Sequence, residues 1–157
     1  PQVDLSGRLR DQKAVKKSEK MNIASEAYIR FLSGGGQIRM EDLTGDLLRY
    51  YLNQSLPILT GLSATYLYAC PREVMATNEV DDIRGEPAGH FVVLTGYDRH
   101  HGTVSVADPY LPNPLGPQHH YDVDLDRLVC AILLGVLTYD ANLLIIEPGG
   151  NRHSQDC

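Results

Sequence analysis

From Asp4 to Leu32 the chain is charged, free of proline and carries one glycine, Gly7. Within it Ile23, Ala24, Ala27, Tyr28, Phe31 and Leu32 recur at three- and four-residue intervals, which places them on one face of a helix. Gly34, Gly35 and Gly36 should end that helix, because glycine is favoured at and beyond a C-cap. "QIRM" (37–40) alternates like a short strand. Thr44 then stands where an N-cap belongs, with Asp46 in the first turn, where a negative charge suits the helix dipole. That helix should turn Leu47, Leu48, Tyr51 and Leu52 inward and end near Asn53.

Further along, the period changes. "LPILTGL" (56–62) reads as a buried strand, and "ATYLY" (64–68) either continues it or adds another. Residues 69–88 are polar and broken by Pro71, Gly85 and Pro87; a loop of that length in a compact domain is often a lid or a binding loop. A hairpin follows, with strands near 89–97 and 103–107 and "DRHH" as its turn. "PYLPNPLGP" (109–117) holds four prolines in nine residues and must be irregular. A strand at "HYDVD", a helix from about Asp124 to Leu134 and a strand "NLLIIEP" (142–148) complete the pattern, and "GGNRHSQDC" reads as a disordered tail. Helices ahead of a mostly antiparallel set of strands make this an α+β domain. The divisions expected are a helical connecting segment (1–36), a sheet half (37–148) and the tail (149–157).

Composition narrows the function classes. The chain has 157 residues, 43% of them hydrophobic, and a net charge of −6. That charge argues against a nucleic-acid or anionic-membrane surface, and "KAVKK" (13–17) reads as a solvated helix face. The longest apolar run, "LVCAILLGVL" (128–137), is about half of what spans a bilayer. No signal peptide is visible, so a cytoplasmic location is expected. Cys70, Cys130 and Cys157 have neither metal-ligand nor disulfide spacing. Cys130 lies in an apolar run and reads as core; Cys157 is in the tail. His100–His101 fall in a turn and His119–His120 after the proline-rich loop, without carboxylate spacing for a metal. Neither a metal nor another cofactor is expected.

The chemistry lies in the hairpin. "GHFVVLTGYD" (89–98) opens on a histidine, and "VSVADPY" ends its strand on an aspartate. With "DRHH" as the loop, Tyr97 faces Gly102 and His90 lies opposite position 109, give or take two. Asp108 then falls within about a residue of His90, inside the range at which cross-strand side chains interact. A carboxylate there accepts the imidazole's second N–H and fixes its tautomer, the base-and-orienter half of a nucleophilic triad. The same two residues also fit a structural pair at a strand end.

These stretches resemble the second half of the bacteriocin-processing (double-glycine leader) cysteine peptidases, a family with the papain-like fold. Its motif is an H-[aromatic/V]-V-V-x-x-G-Y strand followed by V-x-V-x-D-P, and His90 and Asp108 stand at its general base and orienting acid. "LPILTGLSATYLY" and "YDVDLDRLVCAILLGVL…NLLIIEP" resemble neighbouring parts, so the likeness runs over roughly residues 40–148. The resemblance implies a partial papain-like fold, thiol attack on an amide carbonyl, and a peptide or protein substrate.

One departure is large. The family's nucleophile is a Cys-Gly following a glutamine near the start of the domain, whereas residues 1–69 contain no cysteine and none of Gln2, Gln12, Gln37 or Gln54 leads to such a motif. The chain opens on Pro1 rather than Met, and truncation is the simplest expectation, leaving it inactive as it stands. Cys70 comes in the right order before His90 and Asp108, but only 20 residues ahead of the histidine. It should lie on a strand-to-loop edge, with "PREV" available to supply a helix N-terminus that would activate it. The alternatives are therefore a non-catalytic peptide- or protein-binding module of the same fold and a hydrolase built on Cys70. The 69–88 loop is expected to border the cleft.

Overall fold

The computed structural model describes residues 3–138 and 141–148, in two compact units that divide between Glu41 and Asp42. The expected disordered tail and Cys157 lie outside the described residues.

The first unit is a pair of helices, α1 (Leu5–Val15) and α2 (Glu19–Ser33). The single helical segment read from 4–32 is thus two. Lys16 is extended, and Ser18 caps α2 by accepting the Met21 N–H, so the local bond of the serine side chain outcompetes continuation of the helix. Lys13 Nζ meets Glu26 Oε2 at 2.6 Å and ties α1 to α2. Gly34 caps α2, and Gly35 takes φ 90°, a left-handed conformation suited to glycine. Residues 37–40 form no strand; alternation over four residues is not sufficient without a neighbour to pair with.

The second unit begins with α3 (Gly45–Leu52), where Thr44 Oγ1 accepts the Leu47 N–H at 3.2 Å. Its inward residues Leu48, Tyr51 and Leu52 are buried, and Leu47 packs against them. β1 (Ile58–Ser63) follows. "ATYLY" is neither a continuation nor a strand but a short helix, α4 (Ala64–Tyr68), started by Ser63 Oγ accepting the Tyr66 N–H and closed by Ala69 in the left-handed region. Residues 69–88 carry a small hairpin, β2 (Glu73–Val74) and β3 (Glu79–Val80). Beyond it Asp81 accepts the Ile83 and Arg84 N–H groups.

The main hairpin is β4 (Gly89–Asp98) and β5 (Thr103–Ala107). Its turn lies one residue later than expected. Asp98 remains in the strand opposite Thr103, and Tyr97 faces Val104 rather than Gly102. The Asp98 carboxylate explains the shift: it accepts the His100 N–H (2.7 Å), the His101 N–H (3.2 Å) and the His101 ring Nδ1–H (2.7 Å). The bond from His101 leads in holding Asp98 down at a pKa of about 2. Gly102 turns the chain at φ 68°. The ladder also slips by one residue between Leu94 and Gly96, a bulge at Thr95.

β6 (His120–Asp124), α5 (Leu125–Leu134), a 3-10 turn (Gly135–Thr138) and β7 (Leu143–Ile145) complete the unit. β7 is shorter than the strand read from 142–148. Five strands join one antiparallel sheet, ordered β6-β5-β4-β1-β7. Its inner face presents Ile58, Leu62, Val92, Leu94, Val104, Val106 and Val123 to α3 and α5, and together they form the core. The α+β architecture and mostly antiparallel sheet accord with the papain-like fold. On α5 the buried residues are Leu125, Leu128, Ala131 and Ile132. That stripe leaves Cys130 on the outer side, and its thiol-bearing residue is exposed rather than core. Among the described residues, no helix is long and apolar enough to cross a membrane.

Candidate active site

The inner face of the sheet ends in polar residues. Val93 pairs with Ala107; continuing that register sets Asp108 opposite Val92, with His90 two positions along the same face, a diagonal neighbour within reach of long side chains. The imidazole covers that distance: His90 Nε2 lies 2.7 Å from Asp108 Oδ1. The aspartate side chain is fully buried, while 23% of the imidazole is exposed.

Several elements converge on Asp108. α4 brings the Tyr68 hydroxyl and β6 the Tyr121 hydroxyl, both donating to Oδ2 at 2.5 Å. The proline-rich loop folds back to add Asn113 Nδ2 on Oδ2 (3.1 Å) and the Tyr110 N–H on Oδ1 (2.8 Å). The backbone of Asp108 is held too: its N–H donates to the His119 carbonyl (2.8 Å), and the Asp108 carbonyl accepts from His119 Nδ1–H (2.7 Å). Burial by itself would raise the carboxyl pKa. The bonds from Tyr121, Tyr68, His90 and the Tyr110 N–H outweigh it and hold the group at about 2. Burial, then donation to this carboxylate, pushes both phenols well above their usual range.

α4 is too short to be stable alone, and its anchors explain why Tyr68 is held where it is. The Ala64 N–H donates to the Ala88 carbonyl, and the Ala88 N–H to Thr65 Oγ1, both at 2.9 Å, tying the helix start to the approach to β4. At the other end, Arg127 from α5 donates to the Tyr66 and Leu67 carbonyls (2.7 and 3.0 Å), satisfying acceptors that a helix end leaves open. Tyr110, half-exposed, stands edge-on to the His90 ring with centroids 6.2 Å apart.

Cys70 is placed differently from the expectation. It follows the C-terminal end of α4, and the next residues enter β2, so "PREV" supplies no helix N-terminus. Among the described residues its bonding is through its backbone, N–H to the Thr65 carbonyl at 3.2 Å. The rate of iodoacetamide alkylation at Cys70, followed by mass spectrometry, is accordingly expected to agree within about twofold between the unaltered chain and His90→Ala. A tenfold slowing in the variant would show a thiolate served by His90. No cluster of three or more histidine, cysteine or carboxylate side chains suited to a metal occurs among the described residues.

Of the residues that hold Asp108, Tyr68 is recognisable from sequence only as an aromatic on an apolar segment, Tyr121 only as an alternating position, and Asn113 carries no signal of its own. The alternation Tyr121, Val123 within "HYDVD" does place Tyr121 on an inner face. Its partner strand is hidden, however, because the proline-rich loop leaves the β5–β6 register unspecified.

Helices ahead of an antiparallel sheet, with an imidazole and a buried carboxylate joined at one end of it, are the frame of a cysteine-peptidase-like domain. The family model described as the Peptidase_C39 like family matches residues 23–127, and the chain belongs to that family. The match begins inside α2, earlier than the likeness seen from residue 40, and ends in α5, before β7. Both His90 and Asp108 fall within it. No curated protein and no solved structure matches the chain.

Proposed function

We propose that His90 and Asp108 are the general base and its orienting acid in a thiol-dependent amide hydrolase acting on peptides or proteins. The observation that carries this reading is the 2.7 Å contact from His90 Nε2 to Asp108 Oδ1. An ionised Asp108 can only accept, so Nε2 carries the hydrogen and Nδ1 keeps its lone pair. Nδ1 is then the nitrogen that takes a proton from a thiol, and the carboxylate stabilises the imidazolium formed. The thiolate adds to the amide carbonyl, and the tetrahedral intermediate collapses as the imidazolium returns the proton to the departing amine. Water, deprotonated by the same nitrogen, then releases the acid from the thioester.

On this reading the attacking thiol is neither Cys70, which follows the C-terminal end of α4 and bonds through its backbone to Thr65, nor Cys130, which is exposed on the outer side of α5. The resemblance to bacteriocin-processing peptidases adds a finer expectation, cleavage after a double-glycine leader. A binding module that keeps His90 and Asp108 as a structural pair has the same tautomer, so the tautomer tests whether Nδ1 is free to act as the base. Long-range proton–nitrogen correlation on neutral His90 is expected to show hydrogen on Nε2 and none on Nδ1. Hydrogen on Nδ1 would remove the base from this site and leave the binding module.

A further inference from the structure

We infer that Tyr68 and Tyr121 are positioning residues whose hydroxyls keep the buried Asp108 carboxylate ionised and turned so that Oδ1 faces His90. This inference rests on the base-and-acid reading above and names what maintains it. The two oxygens of Asp108 are not equivalent. Oδ1 accepts from His90 Nε2 and the Tyr110 N–H, whereas Oδ2 accepts from both phenols and from Asn113 Nδ2.

A carboxylate offers about four lone-pair directions, so five donors leave none open. Rotating the group by half a turn would have to exchange three donors for two. Protonating it would place a hydrogen where a donor already points. Of the three bonds to Oδ2, the two from tyrosine are the short ones, 2.5 Å against 3.1 Å from Asn113. They come from elements far apart in the sequence, α4 and β6, so the carboxylate ties the two together. Without them a fully buried carboxylate is left with few bonds to its charged form, and such a group takes up a proton more readily.

Among the described residues, the groups that hydrogen-bond to Asp108 all enter that balance. They are His90 from β4, Tyr68 from α4, Tyr121 from β6, Tyr110 and Asn113 from the proline-rich loop, and His119 on the backbone carbonyl. No lysine or arginine forms an ion pair with it among the described residues; hydrogen bonds from neutral donors carry the compensation. Phenylalanine at 68 and 121 keeps the rings and their packing and removes only the hydroxyls, so a purely space-filling role predicts no electrostatic change.

The experiment is a pH titration of the Asp108 side-chain carboxyl by carbon NMR in the full chain, in Tyr68→Phe, in Tyr121→Phe and in the double variant. Tyr110→Phe serves as the control, since Tyr110 contacts Asp108 through its backbone N–H. In the unaltered chain and the control, the carboxyl should stay ionised down to about pH 3. Each single variant should raise its midpoint by about one pH unit, and the double variant by about two or more. A double variant that remains folded by circular dichroism and still shows an ionised Asp108 at pH 3 would overturn the assignment. If the double variant does not fold, the single variants decide: a rise of about one unit supports it and an unchanged midpoint overturns it. The His90 tautomer in the unaltered chain separates the two failures. Hydrogen on Nδ1 defeats the base reading itself, whereas hydrogen on Nε2 with unmoved midpoints defeats only the tyrosines' part.

Discussion

Asp108→Ala is expected to destabilise the second unit by about 4 kcal/mol at neutral pH, measured by urea unfolding, with a fall in Tm of about 10 °C or more. The substitution removes one side chain but strands five donors: the hydroxyls of Tyr68 and Tyr121, the Asn113 amide, the Tyr110 N–H and His90 Nε2–H. Each buried donor left without an acceptor costs about 1–3 kcal/mol; water entering the space left by the carboxylate and the partial exposure of His90 keep the total below the sum. Asp108→Asn should recover little, because its amide group turns donors against donors. The penalty depends on pH in a defined direction. The carboxyl is lowered in the fold from its ordinary value of 3.8 to about 2, so its contribution is complete above about pH 4 and lost as the pH falls through 2. The gap between the unaltered chain and Asp108→Ala should therefore narrow across that window. A loss below about 1 kcal/mol at neutral pH would mean that the five bonds do not form in solution.

Leu62→Ala is expected to cost about 3 kcal/mol. Leu62 has no solvent exposure and pairs directly with His90 across β1 and β4. Its truncation opens a cavity in the core beside the histidine, where α5 and the sheet leave little room to collapse. Leu62→Ile, which keeps the volume, should cost less than about 1.5 kcal/mol. Urea unfolding of both variants checks the difference, and equal costs would point to a shape constraint rather than a cavity. Because the cavity adjoins His90, the alanine variant should also broaden the His90 ring resonances, which Leu62→Ile should leave sharp.

How far the sequence reached can be followed residue by residue. His90 and Asp108 could be brought together on paper because a hairpin is a local structure: glycine, loop length and alternation set its register to within two residues. Thr44 and the inward face of α3 were legible for the same reason. The turn was misplaced by one residue because the Asp98 side chain, not the alternation, sets where the strand ends. "ATYLY" failed as a strand because its helix is held by distant partners, Ala88 and Arg127, and a five-residue segment has too little period of its own to show which it is. Cys130 lay in an apolar run whose average hydropathy hides which residues face inward; only the three-and-four spacing of Leu125, Leu128, Ala131 and Ile132 reveals that. What the tyrosines around Asp108 touch was beyond reach, since the contact spans 40 residues for Tyr68 and a loop of unreadable geometry for Tyr121.

The bulge at Thr95 has a consequence for how the hairpin counts. From the Asp98–Thr103 pair a regular ladder would run Tyr97 to Val104, then Thr95 to Val106 and Val93 to Asp108, turning Phe91, Val93 and Thr95 into the core and His90 outward. The extra residue changes odd for even: Leu94 meets Val106 instead, and every inward position before it, His90 included, is even-numbered, while Tyr97 beyond it is odd. Whether the imidazole can find the carboxylate is thus a question of parity along β4. Deleting Thr95 would leave the same pairs in a straight ladder, whereas adding one more residue to the strand, with the bulge kept, would send the histidine to the opposite side of the sheet.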